Sequence, residues 1–583
     1  MRINLKQVAV SGAFLSLLAV PAVAQNVPPE VLHYADTVFH NGKVVTADAQ
    51  FSVVQAVAVR DGKILKVGNN PDILLLAGPG TRKIDLQGKM LIPGIIDTHT
   101  HLHEYALDYY AAEMNPELAE IQLVGRSKED LLAQMKEAAA KSKPGEWLRF
   151  RLKPRAVADE FFYNLTRFDL DKSIPNNPAL AHTTDTRALS NSKAIEILLK
   201  KYDAKAVKLP TDEKGEITGR LGEGISLIFY EEIIPKPRPE DLAPIYLREL
   251  ELWAKGGITT WSSSLGSEAI TAFHYMDQRG MLPIRLGYSN EAALRDNLYA
   301  ESAASRMGNL IGHGTDYFWL IGVSSGSTDA SYPGVCTNLP GNSPQVKARE
   351  DCRLSFDGVR GRAIHAAIKA GLRVTGTHSA GDKATDVLLD IIEKASAEAG
   401  MSAEQIKAKR HVIDHCMMNP TPQQIVRSVK LGIIWSCAPK YSVNSGARVM
   451  RDYGEVAAHT LVTPVKSILD AGGRAVFEQD HHEGHEPFID MSTFITRKDN
   501  DGRVWGPKNA VDRKTALLMA TRWAAEYVLR EKTLGSLEPG KWADLVILSK
   551  DYFTVAEDDI ASIRGVFTMV GGKVVYDGLT AQK

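Results

Sequence analysis

Between about residues 93 and 534, short apolar runs of strand character alternate with amphipathic helical stretches. Such alternation calls for parallel strands joined by crossover helices, and sustained over this length it predicts an α/β barrel with insertions. The helical stretches are read at Lys128 to Lys141, Asp241 to Lys255, Lys383 to Ala399 and Asp512 to Leu529. The chain ends read differently. T-V-F-H-N-G-K-V-V-T-A and A-V-A-V-R-D-G-K-I-L-K-V-G near the start, and G-V-F-T-M-V-G-G-K-V-V-Y-D-G near the end, are short strands split by glycine turns. Residues 31–92 and 535–583 are therefore expected to share one sheet unit, leaving 93–534 to the barrel.

Ahead of these segments, Arg2 and Lys6 precede V-A-V-S-G-A-F-L-S-L-L-A-V, which ends in P-A-V-A. This is the pattern of a secretory signal peptide over residues 1–24, cleaved between Ala24 and Gln25, giving an exported chain in the periplasm or the medium. The apolar stretch is shorter than the roughly 20 residues that span a bilayer, so an uncleaved anchor is the weaker reading, and no membrane span is expected in the mature chain. With 69 basic and 70 acidic residues the net charge is −1, and no run of like charges suggests an electrostatic nucleic-acid binder. The expected partner is a small-molecule substrate; the oligomeric state, homo-oligomer included, stays open. Four cysteines permit at most two disulfides, too few to be the framework of 583 residues. Cys336 and Cys352 lie in a Gly/Pro/Asn-rich stretch where one bridge would restrain a loop, whereas Cys416 and Cys437 sit in apolar, strand-like surroundings and read as buried free thiols.

The chemistry begins at L-I-P-G-I-I-D-T-H-T-H, an apolar strand ending in Asp97, His99 and His101. Histidines two apart on an extended chain face the same way, so both rings can reach one ion. Three more candidates follow strand-like runs: His378 in V-T-G-T-H-S-A-G-D, His415 in H-V-I-D-H-C, and Asp480 in A-V-F-E-Q-D. Barrel enzymes build their sites at the C-terminal ends of strands, and imidazole with carboxylate suits zinc or a related divalent ion with a position left for water. Asp480 is the candidate general base. Lys440 and Tyr441, in C-A-P-K-Y after another apolar strand, are expected to touch substrate. His481, His482 and His485 read as residues of the pocket mouth or of a solvated loop, and His103 is left out of the site.

P-G-I-I-D-T-H-T-H, T-G-R-L-G-E, H-S-A-G-D, V-I-D-H, the late Asp480 and L-G-S-L-E-P-G-K-W-A-D-L-V-I-L together resemble the amidohydrolase superfamily, in its YtcJ-like branch or amidohydrolase family 3. The resemblance implies a metal-bearing (β/α)8 TIM barrel joined to a small β-sandwich made from both chain ends. It also implies one or two divalent ions, zinc foremost, held by His99, His101, His378, His415 and Asp480. Two departures stand out. Many binuclear members carry a carboxylated lysine on a middle strand, but Y-F-W-L-I-G-V-S-S-G has no lysine, and Glu223 could supply a bridging carboxylate or simply start a helix. The usual G-S-D on the last strand is E-Q-D-H-H-E-G-H here.

The expected function is that of a metal-dependent hydrolase acting on a non-peptide C–N bond, as in an amide, formamide, carbamate or cyclic amide. Metal-activated water would attack, with Asp480 moving the proton. An ester or lactone hydrolase, a lyase using the same Lewis acid, and a non-catalytic binding or regulatory protein on a degenerate barrel are the alternatives.

Overall fold

The computed structural model describes residues 33–579, apart from 154–163, 185–186, 204–206, 208, 222, 292, 295–301, 303, 305 and 308–309; the expected leader 1–24 and the expected cleavage point between Ala24 and Gln25 lie outside the described residues. Eight short strands organise the molecule: β1 (Ile95–Asp97), β2 (Ile258–Leu265), β3 (Arg285–Asn290), β4 (Phe318–Val323), β5 (His378–Gly381), β6 (Val412–Met418), β7 (Ile434–Cys437) and β8 (Arg474–Phe477). They form two parallel sheets, ordered β4-β3-β2-β1 and β5-β6-β7-β8. The sheets meet at both edges. Val323, ending β4, bridges Val374 just before β5, and the Thr98 amide beyond β1 donates to Phe477 O at the end of β8 at 3.1 Å. Every residue of β2, β4, β6 and β7 is buried, as expected of parallel strands covered on both faces.

Helices Lys128–Lys141, Pro239–Gly256 and Asp382–Glu398 lie where periodicity places them. The fourth reading is corrected: Asp512 to Leu529 holds two helices, Arg513–Met519 and Arg522–Tyr527. Thr521 leaves helical geometry at φ −134, and Ala520 O accepts the Ile96 amide at 2.8 Å, so the break anchors β1 from outside its own sheet.

Both chain ends enter one six-stranded sheet, in the order 573–577, 565–570, 545–548, 90–93, 43–45, 53–54. A second, four-stranded sheet holds 63–68, 56–60, 35–40 and 77–85. One apolar cluster takes Phe39, Val57 and Ile64 from the second sheet and Leu91, Ile547 and Phe567 from the first, so each sheet covers the other's apolar face. Between β1 and β2 the chain builds a further five-stranded sheet within residues 121–221, with its own core around Leu123, Met135, Phe150 and Leu170.

A disulfide joins Cys336 to Cys352 with Cα atoms 5.0 Å apart. The free-thiol reading of Cys416 and Cys437 is corrected, since these two are also bonded, at a Cα separation of 4.9 Å. Their strands β6 and β7 are hydrogen-bonded neighbours with His415 opposite Cys437, and adjacent strands lie within the 4.4–6.8 Å that a disulfide spans. Apolar surroundings revealed burial but not this pairing. No helix among the described residues is long and apolar enough to cross a membrane.

Candidate metal centre

The site starts from how the end of β1 is pinned. Thr98 Oγ1 donates to Phe477 O at 2.7 Å on one side, and the Thr100 amide donates to Ser262 O at 3.2 Å on the other. His99 and His101 project from this extended segment, and their ring centroids lie 5.0 Å apart. His101 then opens the helix Leu102–Met114. Asp97, the last residue of β1, accepts the Gln479 amide at 3.1 Å and the Thr100 hydroxyl, and Thr100 Oγ1 accepts the Asp480 amide at 3.0 Å. The loops after β1 and β8 are thereby held to each other.

His378 opens β5, and His415 lies within β6 at φ 92, a left-handed conformation that non-glycine residues rarely adopt. Their rings are 4.2 Å apart, and His415 is 5.1 Å from His99. His101 Nε2 lies 3.7 Å from Asp480 Oδ1, and His415 Nδ1 lies 3.8 Å from Asp480 Oδ2. All five residues expected from the sequence therefore converge. Around them, two groups of ligand atoms each fall inside 4.8 Å of one another: His99, His101 and Asp480, and His415, Glu478 and Asp480.

Lys440 Nζ donates to Asp480 Oδ2 at 2.6 Å, and Tyr441 Oη to the same oxygen at 3.2 Å. These two residues bear on Asp480 directly. Glu223 begins a helix, Glu223–Ile228, and its side chain lies outside the described ones. In the last-strand loop, His481 Nε2 is 2.8 Å from Asp490, and His482 stacks on Tyr109 with centroids 3.8 Å apart.

Two carboxylates escaped sequence reasoning. Asp414 places Oδ2 3.2 Å from His99 Nδ1, and Glu478 places Oε1 2.5 Å from His415 Nδ1. Both are fully buried. The only sequence signal for Glu478 was the departure from G-S-D.

Burial dominates the electrostatics. It pushes the His415 imidazole down to about 3 and His378 well below its ordinary value, so both rings are neutral, as metal coordination requires. For His101 burial is outweighed by the Glu104 and Asp480 carboxylates, which raise it to about 10. Burial would also raise Asp480, but the Lys440 ammonium and the His415, His101 and His99 rings hold its carboxyl well below the usual range. Burial raises Glu478 well above its ordinary value, with Asp414 and Asp480 adding to the effect. Nε2 of His99 and Nε2 of His378 are buried with no hydrogen-bond partner among the described residues. Buried imidazole nitrogens without partners, set among four buried carboxyls, fit a divalent cation of the zinc type.

The family model for the amidohydrolase family matches residues 82–576, and the chain belongs to that family. Among its relatives, Protein LONG AFTER FAR-RED 3 of Arabidopsis thaliana is 26% identical, over 97% of this chain and 96% of its own length. N-substituted formamide deformylase of Arthrobacter pascens is 24% identical, over 93% of this chain and 98% of its own. In fold, the chain is similar to an uncharacterized metal-dependent hydrolase from Pyrococcus horikoshii OT3, with a TM-score of 0.63 and 22% identity, over 90% of this chain and 99% of that one.

Proposed function

We propose that this chain is an exported, metal-dependent hydrolase of a non-peptide C–N bond in a small molecule, with amides, formamides, carbamates and cyclic amides as its substrate class. The observation that carries the reading is the position of Asp480: its carboxylate belongs to both groups of ligand atoms and is gripped by Lys440 and Tyr441. Membership of the amidohydrolase family and the full-length relative named for formamide deformylation support the same chemistry.

The architecture proposed with it is a closed (β/α)8 barrel over residues 93–534, supported by the hydrogen bonds at both seams between the two parallel sheets. Residues 31–92 and 535–583 are proposed as a composite β-sandwich, supported by the sheet and core they share. Removing 535–583 should then strip three strands from that sheet and abolish soluble expression. Export, with cleavage between Ala24 and Gln25, predicts a periplasmic or secreted protein whose N-terminal sequence starts at Gln25.

His99, His101, His378, His415 and Asp480 would hold one or two divalent ions, zinc foremost; a role for Glu223 in bridging them belongs to the same proposal. Held by these residues, such an ion would supply Lewis-acid polarisation of the scissile carbonyl and would lower the pKa of water from 15.7 to about 7. Asp480, held anionic by Lys440, receives the proton of the attacking water and delivers it to the leaving nitrogen. Tyr441 and Lys440 fix the direction of that carboxylate. Asp480→Asn keeps the size and one oxygen but removes the proton acceptor, so turnover should fall by about 10²–10⁴-fold.

The test is a panel of N-substituted formamides, N-acyl amines, carbamates, cyclic amides and lactones offered to protein stripped by chelator and then reloaded with Zn²⁺. Release of amine that disappears on stripping and returns on reloading is the expected result. Amine release unaffected by stripping, or no C–N cleavage by metal-loaded protein, would contradict the reading.

A further inference from the structure

Glu478 stands where the family resemblance leads one to expect glycine, directly after β8, and its side chain is completely enclosed. A carboxylate in that position needs partners: Ser436 hydrogen-bonds to it, and both of its oxygens meet His415. Oε1 lies 2.5 Å from His415 Nδ1, and Oε2 accepts the His415 backbone amide at 3.2 Å. The residue so gripped has φ 92, a conformation that must be held from outside. Across the same site Asp414 faces His99 in a related way, Oδ2 to Nδ1 at 3.2 Å, and is itself backed by the Tyr527 hydroxyl at 3.3 Å. In His99 this leaves Nε2 buried and without a hydrogen-bond partner among the described residues.

We propose that Glu478 is a positioning residue: it clamps the ring and the backbone of His415 together, fixes the Nδ1–H tautomer, and so aims Nε2 at the cation. The inference rests on the metal-dependent reading of the site but not on any particular substrate. An orienting carboxylate raises the basicity of the ring it holds, and loss of such a partner typically costs 10- to 100-fold in metal affinity or activity. The departure from G-S-D then acquires a physical reason. A glycine there leaves His415 Nδ1 and its amide without this acceptor, and the glutamate supplies both bonds in a chain that lacks a lysine in Phe318–Val323.

The competing role is that of a ligand, because Glu478 also falls in the group with His415 and Asp480. Metal binding by the full-length protein separates the two. Zinc and cobalt dissociation constants and stoichiometries are measured by chelator competition for the wild type, Glu478→Gln and Glu478→Ala, with the visible spectrum of the cobalt-loaded forms as a signature of coordination. For a positioning residue, Glu478→Gln keeps the wild-type number of ions and the same cobalt coordination number, with affinity weakened about 10- to 100-fold, and Glu478→Ala is weaker still. Unchanged affinity in both variants would overturn the proposal. So would loss of one whole equivalent with the remaining ion held at wild-type affinity, since that marks Glu478 as a ligand. A crystal structure of the zinc-loaded wild type decides the matter even if the variants do not fold. The proposal requires Glu478 to stay on His415 Nδ1, and an Oε atom at about 2.0–2.2 Å from zinc would overturn it. Wild-type protein that binds metal but cleaves nothing in the substrate panel would count against the hydrolase reading and leave these comparisons intact.

Discussion

Lys440 Nζ and Asp480 Oδ2 are 2.6 Å apart, and the same ammonium also donates to the Asp480 backbone carbonyl. This double grip ties the first residue of the helix Lys440–Tyr453 to the loop after β8, so the helix start sets where the carboxylate points. Asp480 itself adopts φ 54, and the lysine contributes to holding it there.

Removing that grip should cost turnover more than folding. Lys440→Met should lower kcat by roughly 10- to 100-fold, the range expected when a partner that orients a reactive group is lost. Lys440→Arg, which keeps the charge on a wider head, should recover part of the loss. Steady-state kinetics with thermal melts alongside is the check, and a Lys440→Met enzyme at the wild-type rate would refute the positioning of Asp480 by this residue.

The second prediction concerns pH and lies away from the centre. Glu120 sits against His182 Nε2 at 2.9 Å and Arg151 Nε at 2.8 Å at the edge of the inserted sheet. Burial would raise its carboxyl, but His182 and then Arg151 outweigh burial and bring it down from 4.5 to about 2. A depressed carboxyl stabilises the fold above its unfolded value and loses that contribution as pH falls through the folded one. The window is therefore pH 4.5 down to about 2, with about 3 kcal/mol at stake. Urea denaturation at pH 5 and pH 2.5 should show a larger loss for the wild type than for Glu120→Gln; equal losses would contradict the pairing.

Thiol counting tests the covalent framework. Alkylation in denaturant without reductant should label no cysteine, and after reduction it should label all four. Two labelled cysteines at 416 and 437 would restore the free-thiol reading.

Much of this molecule was legible along the chain because its signals are local. Apolar runs such as Phe318–Val323 marked buried parallel strands, and the histidine pair after Asp97 marked the end of β1. What stayed hidden depends on contacts between distant segments. Glu478 acquires its role from His415, 63 positions earlier, and the sequence offers only an unexpected glutamate. Cys416 and Cys437 pair because β6 and β7 happen to be neighbours in that register. The break at Thr521 lies beside Ala520, whose carbonyl accepts the Ile96 amide, a contact between distant segments that no helical periodicity over 512–529 can reveal.

The central claim is that water is added across a C–N bond at this centre. Its most direct test is turnover in H₂¹⁸O by the zinc-loaded enzyme on whichever formamide or amide of the panel it cleaves, with the released acid and amine read by mass spectrometry. The account predicts one ¹⁸O atom in each acid molecule at early times and none in the amine. An unlabelled product, as elimination would leave, would contradict it.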